Sequence, residues 1–158
     1  MRYGTRTTLK RRWTPSAHRP VCPMHIGYEF GYLYAAICPY HGDLFCMLLP
    51  WMNKECFHLF LQKLEEHVSQ KTTLFLDRAS THQHLPKSRI RLKYLPAAAP
   101  ELNPVERFFK ELRKELSNTV FMDIEQVENK LEQVLKRYFK NPSKIISLTL
   151  YPYLDTSF

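Results

Sequence analysis

Three features of this sequence predict an α/β domain with helices laid against a mixed sheet. Two aromatic and aliphatic runs, Phe30 to Cys38 and Leu44 to Leu49, flank the turn-forming Pro39-Tyr40-His41-Gly42-Asp43, the pattern of an antiparallel hairpin. A short, nearly all-apolar run, Thr72 to Leu76, has the character of a strand buried on both faces. Segments before and after it carry apolar residues at helical spacing, so helices and strands share one chain order.

The elements follow in order. Residues 1 to 27 are basic and interrupted by prolines, with short strand fragments at best. After the hairpin, Lys54 to Val68 aligns Phe57, Phe60, Leu61, Leu64 and Val68 on one helical face. Ile90, Leu92 and Tyr94 alternate with Arg91 and Lys93, which reads as a strand with one wet, cationic face. Pro104 to Leu116 places Phe108, Phe109, Leu112 and Leu116 on its apolar side. Ile124 to Tyr138 does the same with Val127, Leu131, Val134 and Leu135, and Asp123 with Gln126 reads as its capping box. The apolar tail 145–158 reads equally as a docked strand or as an interaction segment.

The 158 residues, 44% hydrophobic, suffice for one core, so the expectation is a single domain over 1–158. No apolar run approaches the length of a membrane span, and the basic N-terminus lacks an apolar core of the signal-peptide type. The expected setting is cytoplasmic, nucleoid-associated if bacterial, with no membrane partner. Net charge is +8, and Arg2, Arg6, Lys10, Arg11, Arg12 and Arg19 crowd residues 1–20 with no acid among them. Such a basic N-terminal arm suits a polyanion, and DNA is the expected partner.

The four cysteines raise a second chemistry. Cys22-Pro23-Met24-His25 and Cys38-Pro39-Tyr40-His41 repeat a C-P-x-H unit, a spacing that a tetrahedral zinc site permits. The strand-like stretch between them would hold the pairs apart. The alternative is a pair of half-buried cysteines flanking a strand.

The most informative stretch is LFLDRASTHQHLPKSRIRLKYLPAAAPELNPVERFFK, Leu74 to Lys110. One apolar run ends in Asp77, and a proline-punctuated turn opens a helix that carries Glu106. Acids at the carboxyl ends of strands face the crevice where α/β proteins bind ligands. Two carboxylates at one sheet edge offer hard oxygen donors for Mg²⁺ or Mn²⁺. Both acids also have structural readings. Asp77 could cap a turn, and Glu106, third in a helix begun by Asn103 and Pro104, could close a capping box. Lys110 and Arg113 share a helical face with Glu106 and could hold phosphate or pair with neighbouring acids. His82 could orient water or merely hydrogen-bond in a loop.

LFLDRASTH followed by LPAAAPELNPVERFF resembles the catalytic core of DDE-type transposases, from the bacterial insertion-sequence branch of the mariner-like superfamily. Arg12-Trp13-Thr14-Pro15 with Arg19-Pro20 resembles that family's tryptophan-containing segment after the first catalytic strand. The resemblance runs from about Met1 to Leu116. It implies a ribonuclease-H-like fold and metal-dependent DNA cleavage and strand transfer. Asp77 and Glu106 become the second and third catalytic and metal-binding acids, and His82 becomes an auxiliary residue. Arg11, Arg12, Lys110 and Arg113 become DNA contacts. A homodimer or a full-length transposase is the implied protein partner.

The chain departs from the pattern in four ways. Arg78 replaces the usual asparagine, and Ala97-Ala98-Ala99 replaces proline, tyrosine and serine. The interval from Asp77 to Glu106 is short. No acid occurs from Met1 to Pro20, where the first catalytic aspartate would lie just upstream. The expectation is a catalytic core cut at its first strand, binding Mg²⁺ or Mn²⁺ weakly and inactive alone. The rival readings are a non-enzymatic DNA-binding or transposase-regulating remnant and a small zinc-binding protein.

Overall fold

Strands β1 (Arg2–Gly4), β2 (Phe30–Cys38) and β3 (Asp43–Leu49) form an antiparallel sheet in that order. Helix α1 (Lys54–His67) follows, then β4 (Thr73–Leu76) and β5 (Arg91–Tyr94), which pair in parallel as a second, two-stranded sheet. A 3-10 turn at Pro100–Leu102 leads into α2 (Pro104–Leu116), α3 (Ile124–Phe139) and α4 (Pro142–Thr149). The computed structural model describes residues 1–77, 89–97 and 99–151.

Period-two alternation explains how the three-stranded sheet is covered on both sides. Leu33 and Ala35 on β2, with Leu44, Cys46 and Leu48 on β3, pack toward α2, α3 and α4. The intervening Tyr32, Tyr34 and Ala36, with Phe45, Met47 and Leu49, pack toward α1 and the β4–β5 pair. A sheet buried on two faces needs apolar residues at both parities, so β2 and β3 read as continuous apolar runs. On the first side Phe108, Leu112, Val127, Leu131 and Ile145 are fully buried. Tyr3 joins β1 to α3 by donating its hydroxyl to Glu128 Oε1 at 2.7 Å; burial and that carboxylate push its pKa upward.

Helix starts follow local chemistry. Asn53 accepts from the Cys56 N–H at 2.9 Å, and Asp123 accepts from the Gln126 N–H at 2.8 Å. Gln126 completes the cap by donating to Asp123 Oδ2 and accepting from the Met122 N–H. The β2–β3 turn needs Gly42, whose φ of 72° is left-handed and whose Cα faces the Pro142 backbone, where a side chain would collide.

Several expectations are corrected. Strand β4 is not buried on both faces: Phe75 is 55% exposed and lies near Lys93 Nζ, 5.8 Å from the ring centroid. It belongs to a two-stranded sheet whose Leu74, Leu76 and Leu92 side alone joins the α1 core. Tyr94 is likewise exposed, whereas Ile90 is buried. The start of the tail is neither strand nor free segment. Pro142 opens α4 at its first turn, and Ile145 and Thr149 are fully buried, with the Thr149 hydroxyl donating to the Ile145 carbonyl. Residues 152–158 of that tail lie outside the described residues.

The mixed α/β architecture holds, with its sheet in two pieces. Pairing of β1 with β2 ends at Met1, whose backbone exchanges hydrogen bonds with Leu33. Past that point no described strand pairs with β2 from Tyr34 to Cys38 on the β1 side, nor with the outer edge of β4. Among the described residues, the two sheets therefore do not pair with each other.

Candidate functional site

A cleft of about 180 Å³ lies between the two sheets, lined by Met1, Ala35, Ala36, Asp77, Asn103 and Glu106 among others. Each carboxylate arrives for a local reason. Asp77 directly follows Leu76, the last residue of β4, which is buried in the α1 core. That anchor holds Asp77 at the carboxyl end of the strand with its own side chain exposed. Glu106 is the third residue of α2, where Pro104 pre-sets the first turn and Asn103 accepts from the Val105 N–H at 3.3 Å. Phe108, Phe109 and Leu112, buried on the same helix, fix its rotation.

The capping reading of Glu106 loses support from this geometry. Its carboxylate lies 3.9 Å from the Arg113 guanidinium, with both side chains more than 40% exposed. Such a pair is screened and contributes little to stability. The two acids also act on a common point. Burial lowers the Met1 amino group to a pKa of about 6, while Glu106 and Asp77 both pull it upward and Arg113 pulls it down.

Among the described residues, the side chains that bring oxygen to the cleft are Asp77, Glu106, Asn103 and Tyr34, and none is a histidine or cysteine. Oxygen donors of this kind suit Mg²⁺ or Mn²⁺ rather than zinc. Their number is small: among the described residues, no three histidine, cysteine, aspartate or glutamate side chains gather as a metal cluster. Small Ala35 and Ala36 leave the floor of the cleft open beneath the unpaired β2 edge.

Cations border the site on its α2 side. Arg107, Lys110 and Arg113 share a shallow depression with Glu106 and Tyr151. Arg107, which the sequence reading passed over, donates to the Leu148 carbonyl at 3.4 Å and stacks on Tyr151, 4.9 Å from its centroid. Its spacing of three from Lys110 was the available signal. Met52 and Tyr34 also line the cleft without any sequence cue. Burial pushes Tyr34 up to about 12, and its hydroxyl donates to the Trp51 carbonyl at 2.9 Å.

Other sequence candidates fall elsewhere. Glu29 cannot replace the first acid at the cleft, because its carboxylate accepts from the Ile124 N–H at the start of α3. Asp43 lines a separate cavity with His41 and His67, beyond the other end of β2. The zinc reading fails on position. His25 is held by Thr7, Cys22 lies against Asn118, and Cys38 with His41 sits at the far end of the nine-residue β2. Cys46, in the core, has its thiol pushed up to about 12 by burial and offers no thiolate. His82 lies outside the described residues. Arg11 and Arg12 are exposed on the long excursion between β1 and β2.

The fold and sequence have known counterparts. Two solved structures, the Mos1 strand transfer complex and the Mos1 transposase paired-end complex with left transposon end, share the fold with TM-scores of 0.61 and 0.60. They are 15% and 16% identical, and each comparison covers 93% of this chain and 50% of the other. The chain therefore spans half the length of those structures. An uncharacterized protein of Sinorhizobium fredii, y4pE/y4sA, is 30% identical over 128 residues, covering 77% of this chain and 94% of its own length. The family described as DDE superfamily endonuclease matches residues 2–128, a span that takes in both carboxylates and the cations beside them. The chain belongs to the DDE superfamily of endonucleases.

Proposed function

We propose that this chain supplies catalytic-domain machinery of a DNA transposase, with Asp77 and Glu106 as two of its metal-binding acids. The observation that carries this reading is that Asp77 and Glu106 both line one cleft between the two sheets. Bound there, Mg²⁺ or Mn²⁺ supplies Lewis-acid activation of a nucleophilic oxygen and stabilises the leaving oxygen of a phosphodiester. Asp77 contributes a carboxylate fixed by the end of β4, and Glu106 one fixed by the first turn of α2. Lys110 and Arg113 hold the phosphate backbone beside the acids, and Arg11 and Arg12 add further phosphate contacts. DNA is the partner this arrangement serves. A second copy of the chain or a longer transposase is its expected protein partner.

Two acids leave a two-ion site underligated. The open β2 edge from Tyr34 to Cys38 supplies a place for a third. Continuing the β1 register places the two residues preceding Met1 opposite Tyr34 and Ala35, over the floor of the cleft. An aspartate on a strand there would face the cleft that Asp77 and Glu106 border.

The chain of 158 residues is accordingly expected to show no Mn²⁺-dependent nicking of DNA. Adding a short aspartate-bearing strand ahead of Met1, with an end-binding domain supplied, is expected to create it. Clear metal-dependent nicking by the unextended chain would overturn the need for an acid on this edge.

A further inference from the structure

The excursion between β1 and β2 is a built projection. Its base continues the sheet: the Thr5 N–H donates to the Glu29 carbonyl, and the Thr7 N–H to the His25 carbonyl. Thr5 and Thr7 are buried, and their hydroxyls accept from the Glu29 and His25 N–H groups. Midway, Asn118 grips the outgoing strand at three points. Its N–H donates to the Thr8 carbonyl, its Oδ1 accepts from the Lys10 N–H, and its Nδ2 donates to the Lys10 carbonyl. Near the tip, Arg12 donates across to the Val21 carbonyl, and the Thr14 hydroxyl donates to the His18 carbonyl.

What this scaffold presents is unusual. Trp13 is 102% exposed, and Val21 and Tyr28 are more than 80% exposed. A large apolar surface held out in solvent marks a binding surface. Residues 5–28 contain Arg6, Lys10, Arg11, Arg12 and Arg19 and no acid. The same surface on a second copy is repelled, whereas a polyanion is attracted. A tryptophan that follows two arginines, Arg11 and Arg12, is a stacking platform for a nucleobase, but an intact duplex hides its base faces.

We infer that the Trp13 hairpin binds an unpaired base of DNA, by stacking the indole on it while Arg11 and Arg12 hold its phosphates. This rests on the DNA reading above and narrows it to DNA with unpaired bases near a strand end.

The test compares a labelled blunt duplex with the same duplex bearing a single-stranded thymine overhang, at one salt concentration. Trp13→Ala is expected to weaken overhang binding roughly 5- to 100-fold, the weight of one stacked base, and to leave blunt-duplex binding within about twofold. Trp13→Phe should retain most of the overhang preference. Arg12→Ala should weaken both DNAs alike and flatten the salt slope. In a Trp51→Phe background, the overhang should quench Trp13 emission. Equal effects of Trp13→Ala on both DNAs, or none, would overturn the inference while leaving the DNA reading intact. Intact DNA binding with a smaller sedimenting species in Trp13→Ala would also overturn it, assigning the surface to a protein. Failure of the unsubstituted chain to bind either DNA would overturn the DNA reading as well.

Discussion

Asp77→Asn and Glu106→Gln are each expected to lower the metal-dependent nicking of the strand-extended protein by at least about 100-fold. A metal ion that stabilises both attacking and leaving oxygens supplies several kcal/mol, and each 1.4 kcal/mol is tenfold in rate. Asparagine and glutamine keep the shape and hydrogen-bonding reach of the acids but remove the charge that a hard cation requires. Stability should not follow activity. Asp77 is exposed, and the Glu106–Arg113 pair is solvated, so thermal midpoints should stay close to that of the unsubstituted protein. Nicking assays beside melting curves separate the two effects. Retained nicking in either variant would remove that residue from the metal site.

The largest stability effect is expected from Phe108→Ala. Phe108 is fully buried, meets Tyr138 edge-on with centroids 5.1 Å apart, and lies 6.3 Å from Phe109. It joins α2 to α3 two residues after Glu106. Truncation removes the transfer energy and leaves a cavity, a cost of about 3–5 kcal/mol. Domains are typically stable by about 5–15 kcal/mol, so the variant should lose a large part of its stability. A urea titration should show an earlier midpoint with an unchanged slope. Phe75→Ala, at a site 55% exposed, should cost under about 1 kcal/mol. Similar costs for the two would contradict the packing of α2 described above.

Much of this architecture was legible because its signals are local. Proline at Pro104 and the caps at Asn103 and Asp123 marked where α2 and α3 begin, and the helical spacing of Phe108, Leu112, Val127 and Leu131 marked their buried faces. The β2–β3 hairpin was legible from Gly42 and its neighbours for the same reason. What failed was non-local. A four-residue strand such as β4 carries too few positions to reveal that one of its faces is exposed. Ile145 and Leu148 are apolar in either helix or strand, and packing against α2, α3 and β3 decided for helix. For the site, Asp77 and Glu106 stood out through motif resemblance and strand-end logic. Arg107 against Tyr151, and the grip of Asn118 on Lys10, span distances in sequence that no window covers.

Mn²⁺-induced broadening of backbone amide signals tests most directly whether Asp77 and Glu106 share a cation. Paramagnetic relaxation falls steeply with distance, so even a weakly held ion marks the residues around it. Titrating Mn²⁺ into the isotopically labelled chain should broaden Ala35, Ala36, Asp77, Val105 and Glu106 first. Asp77→Asn or Glu106→Gln should abolish that pattern. Broadening that begins at Asp43, His41 and His67, or that survives both substitutions, would contradict a metal site between the two sheets.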